Sequence, residues 1–233
     1  MRALELLAFG PLSIPQLAAA MQAHPRTVRR LMTRLEHEDY VTSRGGTRRM
    51  YEPTMRIVAI AGQVVDNSPL ARRARPYVTL LCEQSRATAH LAVPSYQSVL
   101  CLVHESRGTA EARPHLRELV PAHCTAGGKA LLAWRERWRE SVLATSLHPY
   151  TDRTIVDPAE LRRMLDASRK QGFAVEDGEY QARVRAVAAP VWIEGEAVAA
   201  LTASARDLDV DAAAQRAVVL AAQLTENLRD VAA

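Results

Sequence analysis

"HPRTVRRLMTRLEHEDYV", residues 24–41, carries an apolar stripe and a basic face on one short segment. Val28, Leu31, Met32 and Leu35 recur at the three-and-four spacing of a buried helix face. Arg26, Thr27, Arg29, Arg30, Thr33 and Arg34 fall elsewhere on the cylinder. Pro25 suits the first helical position, where its missing N–H removes no intrahelical bond. An arginine run alone is explained as well by a solvated surface as by a ligand, so the neighbouring sequence has to decide.

Upstream, Leu4 and Leu7 mark a short helix that Gly10-Pro11 ends. Ser13 then opens "SIPQ", a Ser-x-x-Gln capping box with a proline in the first turn, and Leu17 and Met21 are the expected buried positions of that second helix. Only Gln22-Ala23-His24 separates it from the basic helix, the arithmetic of a helix-turn-helix. Downstream, Tyr40-Val41-Thr42 and Met50-Tyr51-Glu52 suit two short strands, with Gly45-Gly46 at a hairpin tip. Arg44, Arg48 and Arg49 decorate that hairpin. Three helices and a basic hairpin make a winged helix-turn-helix, and arginines gathered on its recognition helix and wing point to duplex DNA.

The bulk composition fits. A chain of 233 residues accommodates two domains with real cores, and its net charge of +4 matters less than the clustering of that charge. The three cysteines, Cys82, Cys101 and Cys124, are widely spaced and form no Cys-x-x-Cys pair, so small buried thiols are expected rather than disulfides or zinc. No apolar run approaches membrane-spanning length and the N-terminus lacks a signal-peptide layout, which leads to an expected cytoplasmic location. The first domain is expected over residues 1–52. A greasy linker helix follows over 53–69, opened by Pro53 and rich in Ile57, Val58, Ile60, Val64 and Val65; it suits a dimer contact.

The remaining span, 70–233, reads as an α+β domain on a central antiparallel sheet. Its first helix is expected to bury Leu70, Ala74, Tyr77, Val78 and Leu81. "ATAHLAVP" and "SVLCLVHE" suit paired strands around Ser95-Tyr96-Gln97, and "AHCTAGGKALLAW" passes from small residues into a helix. Asp157-Pro158 begins a helix that Gly172 stops. Three strands follow, the last two joined by Glu194-Gly195, before a final helix over about 211–231.

Enzyme readings find little support. "TAGGKA" lacks the leading glycine of a phosphate loop, and Ala130 stands where magnesium needs a hydroxyl. No Gly-x-Ser-x-Gly elbow is present, and His90, His104, His115, His123 and His148 show no metal spacing. His90 suits a satisfied core or pocket histidine. Glu176, Asp177 and Glu179 could be paired acids, although a solvated turn is the simpler account. No metal or cofactor is implied.

Five stretches in order, "RALELLAFGPLSIPQLAAAM", "TVRRLMTRLEHEDYV", "AHCTAGGKALLA", "TDRTIVDPAELRRMLDASRKQGFAVEDGE" and "VAAPVWIEGEAVAALTAS", resemble the IclR-type bacterial transcription regulators. The resemblance implies a GAF-like effector-binding domain behind the winged helix. It also implies a dimer or dimer of dimers on a near-palindromic operator, acting as repressor or activator. The effectors it implies are small organic acids, aromatic carboxylates among them. In the family, the turn entering the "GKALLA" helix donates backbone N–H groups to the effector carboxylate; here that turn is Thr125, Ala126, Gly127 and Gly128. The family's acidic position after "FAV" matches Glu176, with Asp177 beside it, and further pocket positions match Ala186, Thr202 and Ser204. Two departures stand out: Asp39 replaces the usual glycine before "YV", and Arg183-Val184 follows the "EDGE" segment. The alternative open at this point is a small-molecule sensor or scaffold whose basic head binds an acidic protein.

Overall fold

The computed structural model describes residues 2–45, 49–106 and 118–229. It divides into two compact units, Met1–Asn67 and Ser68–Ala233.

The first unit contains α1 (Arg2–Leu7), β1 (Leu12–Ser13), α2 (Ile14–Met21), α3 (Pro25–His37), β2 (Val41–Arg44), β3 (Met50–Pro53) and α4 (Arg56–Asp66). Ser13 starts α2: its backbone N–H and its hydroxyl both donate to Gln16 Oε1, at 2.9 and 2.7 Å. His24 caps α3 by accepting the Arg26 N–H on Nδ1 at 3.2 Å. Val28 and Met32 are fully buried against Leu7, Leu17 and Tyr51, while Leu31, Leu35 and Met21 are half-buried at the rim of that core. Asp39 takes the left-handed backbone of the helix exit, φ +57°, so it does the work of a glycine there.

The strands form an antiparallel sheet in the order β1-β3-β2. Strand β1 has only two residues, too few to show a period in sequence. Pro53 does not open the linker helix, as expected above. It ends β3 opposite Val41. The Thr54 N–H bonds Tyr40 O on the β2 side, so by alternation position 53 faces away from β2, beyond the end of β1, where a missing N–H breaks no ladder. The linker helix is therefore shorter, starting at Arg56. None of its residues is buried, and Val64 is 65% exposed. Gly45 has φ +99°, as a hairpin tip requires; Gly46, its expected companion, lies outside the described residues.

The second unit runs α5 (Pro69–Ser85), β4 (Thr88–Ser95), β5 (Ser98–Glu105), β6 (Leu119–Pro121), α6 (Ala126–Trp134), α7 (Glu136–Leu143), α8 (Pro158–Gln171), β7 (Ala174–Asp177), β8 (Arg185–Ile193), β9 (Glu196–Ala205) and α9 (Val210–Arg229). The six strands form one antiparallel sheet ordered β6-β5-β4-β9-β8-β7. Helices α5 and α9 pack against each other and on the sheet, and α6 packs on β4, β7, β8 and β9 with α8 behind it. Strands β8 and β9 are rich in alanine, which lets α6 approach closely: Ala126, Ala130, Ala186, Ala188 and Ala200 share one core cluster.

Asp157 caps α8 through a 2.7 Å bond from the Glu160 N–H, and Gly172 ends it at φ +90°. Glu194 and Gly195 both have positive φ at the β8–β9 tip. The buried face of α5 is rotated from the expected one. Ala71, Ala74, Val78, Leu81 and Cys82 are inside, whereas Leu70 and Tyr77 are half-buried. Small residues at 71 and 82 allow the helix–helix approach that larger ones would block. Neither β6 nor α7 was expected, and the last four residues of the chain lie outside the described ones.

Candidate functional site

The face of the large sheet beneath α6 carries a row of polar side chains set by register. Glu176 pairs with Ala186, Ala186 with Ser204, and Ser204 with Thr88. One step along β4, His90 lies between Thr202 on β9 and His104 on β5. These residues line a cavity with about 650 Å³ of atom-free space, part of it open to solvent. Ala92, Ala126 and Ala186 bound it where larger side chains would fill it.

The first turn of α6 closes the cavity from above, and Thr125, Ala126 and Gly127 line it. Thr125 is the N-cap, and its hydroxyl is spent on Pro121 O at 2.7 Å. The opening amides of the helix have no intrahelical acceptors, and the helix dipole makes this end attractive to an anion. A methyl group at Gly127 would stand 2.9 Å from Ala92 Cβ and 3.1 Å from Thr202 Oγ1. The Thr202 hydroxyl is thus within reach of a group held on this turn. Thr202 and Thr88 are each only 2% exposed. Among the described residues, Thr202 Oγ1, Thr88 Oγ1 and His104 Nε2 are buried without a protein hydrogen-bond partner, and all three residues line this cavity. Unpartnered buried polar atoms are expensive, so their convergence on one cavity points to a polar occupant.

Glu176 stands at the β7 side of the cavity and accepts the Tyr180 N–H at 3.1 Å. Burial pushes its carboxyl up to about 7, against the pull of that hydrogen bond and of Lys129. Asp177, its neighbour, does not line the cavity. Strand alternation turns it outward, where it pairs with Arg153 at 2.9 Å. Gly128 also misses the cavity: a Cβ there would lie 2.2 Å from the Ala122 carbonyl oxygen, so its role is close packing of α6. Glu176 and Glu179 do not sit on a solvated turn. Glu179 Oε1 meets Lys129 Nζ at 2.5 Å, with the lysine fully buried. The lysine of "TAGGKA" therefore faces the core, and a cation supplied from α6 is what lets Glu179 be buried. No disulfide joins the three buried cysteines, and burial pushes the Cys101 thiol at the cavity wall up to about 12.

Sequence reading missed Thr88, Cys101, His104, Tyr180 and Gln181 as cavity residues and left His90 between core and pocket. Thr88 and His90 are placed by β4 pairing with β9, a contact between strands far apart in the chain, Cys101 and His104 by β5 pairing with β4, and Tyr180 and Gln181 lie in the segment that follows β7.

On the first unit, Arg26, Thr27, Arg29, Arg30, Thr33 and Arg34 are exposed on the face of α3 opposite Val28 and Met32. Among the described residues, no ion pair occupies Arg26, Arg29, Arg30 or Arg34. The hairpin differs. Arg44 pairs with Glu52 at 2.5 Å and Arg49 with Glu36 at 2.9 Å, while Arg48 lies outside the described residues. No group of acidic, histidine and cysteine side chains able to hold a metal occurs among the described residues, and no helix there is long and apolar enough to cross a membrane.

A helix pair with an exposed arginine face, together with an α+β unit holding a cavity lined by polar side chains, is the layout of a bacterial transcription regulator. Residues 62–233 match the family model for the bacterial transcriptional regulator IclR C-terminal region. The chain belongs to the IclR family of transcriptional regulators. Among curated relatives, the Pca regulon regulatory protein of Pseudomonas putida is 28% identical over 200 residues, covering 83% of this chain and 67% of that protein. Two solved structures share the fold. An IclR transcriptional regulator from Silicibacter sp. TM1040 superposes with a TM-score of 0.81 at 24% identity, covering 97% of this chain and 94% of the other. An IclR homolog from Microbacterium hydrocarbonoxydans, complexed with 4-hydroxybenzoate, gives 0.74 at 23% identity, covering 94% and 92%. The matched relatives are named as regulators, and the family is not one of enzymes.

Proposed function

We propose that this protein is a ligand-responsive regulator that binds a near-palindromic operator in the cytoplasm through a winged helix-turn-helix. In this reading α3 enters the major groove. Arg26, Arg29, Arg30 and Arg34 read guanines or hold phosphates, Thr27 and Thr33 touch bases, and Arg44 and Arg48 add backbone contacts from the wing. The apolar, unburied face of α4 supports self-association, a dimer or a dimer of dimers, that spaces two heads for two half-sites.

The GAF-like second domain binds a small organic acid, an aromatic carboxylate being one candidate. The observation that carries this reading is the unpartnered Thr202 hydroxyl beside the open first turn of α6. A carboxylate on the Ala126 and Gly127 amides would accept from Thr202. Thr88, two residues along β4 from the row of Thr202 and His90, or ~6.6 Å, and His104, two strands across from Thr202 in that row, or ~10 Å, would meet a second polar group on the same molecule. The acid alters DNA affinity to the extent that it binds one state of the protein better than the other.

The test is a thermal shift of the full chain against a library of small carboxylic acids, followed by retardation of a selected duplex with and without the best acid. One acid should stabilise the protein by mass action and change its DNA affinity. Stabilisation by none of them, or stabilisation with unchanged DNA binding, refutes the effector reading.

A further inference from the structure

The hairpin arginine Arg49 has the sequence position of a phosphate ligand, yet its surroundings differ from those of the α3 arginines. It lies just ahead of β3 and reaches across the hairpin to the last turn of α3. Its Nη2 donates to both carboxylate oxygens of Glu36, at 2.9 and 3.0 Å, and its Nε donates to Ser43 Oγ on β2 at 2.7 Å. The Ser43 hydroxyl in turn donates to Glu36 Oε1 at 2.6 Å. The guanidinium carbon stands 5.6 Å from the ring centroid of Tyr51, which is packed into the core of the unit. One side chain therefore joins α3, β2 and β3.

An isolated surface ion pair does little, but a guanidinium with a carboxylate, a hydroxyl and a ring as simultaneous partners is the networked case in which geometry is held. We infer that Arg49 is a positioning residue: with Glu36 and Ser43 it clamps the hairpin to α3, setting the angle between recognition helix and wing, and it does not neutralise a phosphate. This rests on the proposal that the unit binds DNA. It makes Glu36, an acidic side chain on the DNA-reading helix, a contributor to binding.

The two roles give opposite signs. If Arg49 were a phosphate ligand, Arg49→Ala would shallow the dependence of log affinity on log salt by about 0.9 per lost contact. Glu36→Gln, which removes a negative charge and frees Arg49, would then tighten binding. If Arg49 is the clamp, Arg49→Ala and Glu36→Gln each weaken binding by roughly fivefold to tenfold, with the salt slope unchanged. The double variant is then no worse than either single one. Arg49→Lys, which keeps the charge but loses the fork, fails to restore affinity.

The experiment titrates a duplex selected from random sequence with the full chain at several salt concentrations. Amide exchange is followed in the β2 and β3 strands of each free variant, which also reports whether it folds. Faster exchange in those strands for Glu36→Gln and Arg49→Lys, with weaker binding at an unchanged slope, is the expected result. A slope that falls in Arg49→Ala, tighter binding by Glu36→Gln, or unaltered exchange overturns the clamp. Should the wild type select no duplex, the DNA-binding reading fails, and the exchange measurement alone still decides for or against the clamp.

Discussion

An anion bound in the cavity should feel the ionisation of Glu176. The carboxyl is buried and titrates near 7, so it is largely neutral at pH 6 and largely charged at pH 8. Glu176 is two strands from Ser204 through Ala186, which places it about 10 Å from a carboxylate held over β9. At an effective dielectric of about 20, two like charges that far apart repel by about 1.7 kcal/mol. A ligand acid that is ionised throughout should therefore bind up to roughly tenfold to twentyfold more weakly at pH 8.5 than at pH 6. Binding near and above pH 7 should take up part of a proton, because the bound anion raises Glu176 further. Titration calorimetry with the best acid from the library screen, in two buffers of different ionisation enthalpy, measures both effects. His90 and His104 line the same cavity, and protonating either would favour an anion in the same direction, so Glu176→Gln is the deciding variant. It should abolish most of the pH dependence and bind at pH 8.5 as the wild type does at pH 6. A wild type whose affinity is flat from pH 6 to 8.5, or a variant that keeps the whole dependence, refutes the role given to Glu176.

Glu176 also bears on the unliganded protein. Its folded value lies above the ordinary 4.5, so its contribution to stability is fully present below about pH 4.5, declines as pH rises, and is gone above about pH 7. Denaturant melts should accordingly show Glu176→Gln gaining most over wild type at pH 8, by up to about 3 kcal/mol, and a gain confined to acid pH would contradict the sign. Thr202→Val should weaken the best acid by about 1.5–3 kcal/mol, the usual loss of a charge-assisted hydrogen bond, while duplex binding without ligand stays unchanged. Equal acid affinity in calorimetry would make Thr202 purely structural. Gly128→Ala forces a methyl into the Ala122 carbonyl and should lower stability by about 1–3 kcal/mol or more, read as a drop in Tm; a neutral substitution would mean α6 can shift. Val64→Glu on the exposed face of α4 should shift the chain toward monomer in sedimentation at micromolar protein, and an unchanged profile would place the self-association surface elsewhere.

Local chemistry carried most of what the sequence revealed. Pro25 with the Val28–Leu35 spacing, Asp157 with Gly172, and Glu194-Gly195 each announce an element through residues a few positions apart. The α6 turn and the Thr202–Ser204 pair came from family resemblance, since small residues before a helix and hydroxyls on a strand are common for reasons of packing. What stayed hidden was set at a distance. Thr88, His90 and His104 join the cavity only because β4 pairs with both β5 and β9. Glu176 and Asp177, adjacent acids with equal claims in sequence, are separated by which face of β7 each occupies. Arg49 looked equivalent to the other arginines until the hairpin folded back on α3 and gave it Glu36.

The alanines that bound the cavity have a consequence for how this regulator can diverge. At positions 92, 126 and 186 the space for a ligand exists because a side chain stops at Cβ. If the chamber takes a ligand as proposed, its selectivity is written in missing atoms, at positions where Ala126 and Ala186 also set how closely α6 packs on the sheet. A single change from alanine to valine or serine would redraw the outline of the chamber, and at 126 or 186 it would press on the packing of α6 as well. Filling one corner would therefore reshape the chamber and shift the α6 turn that borders it in the same step.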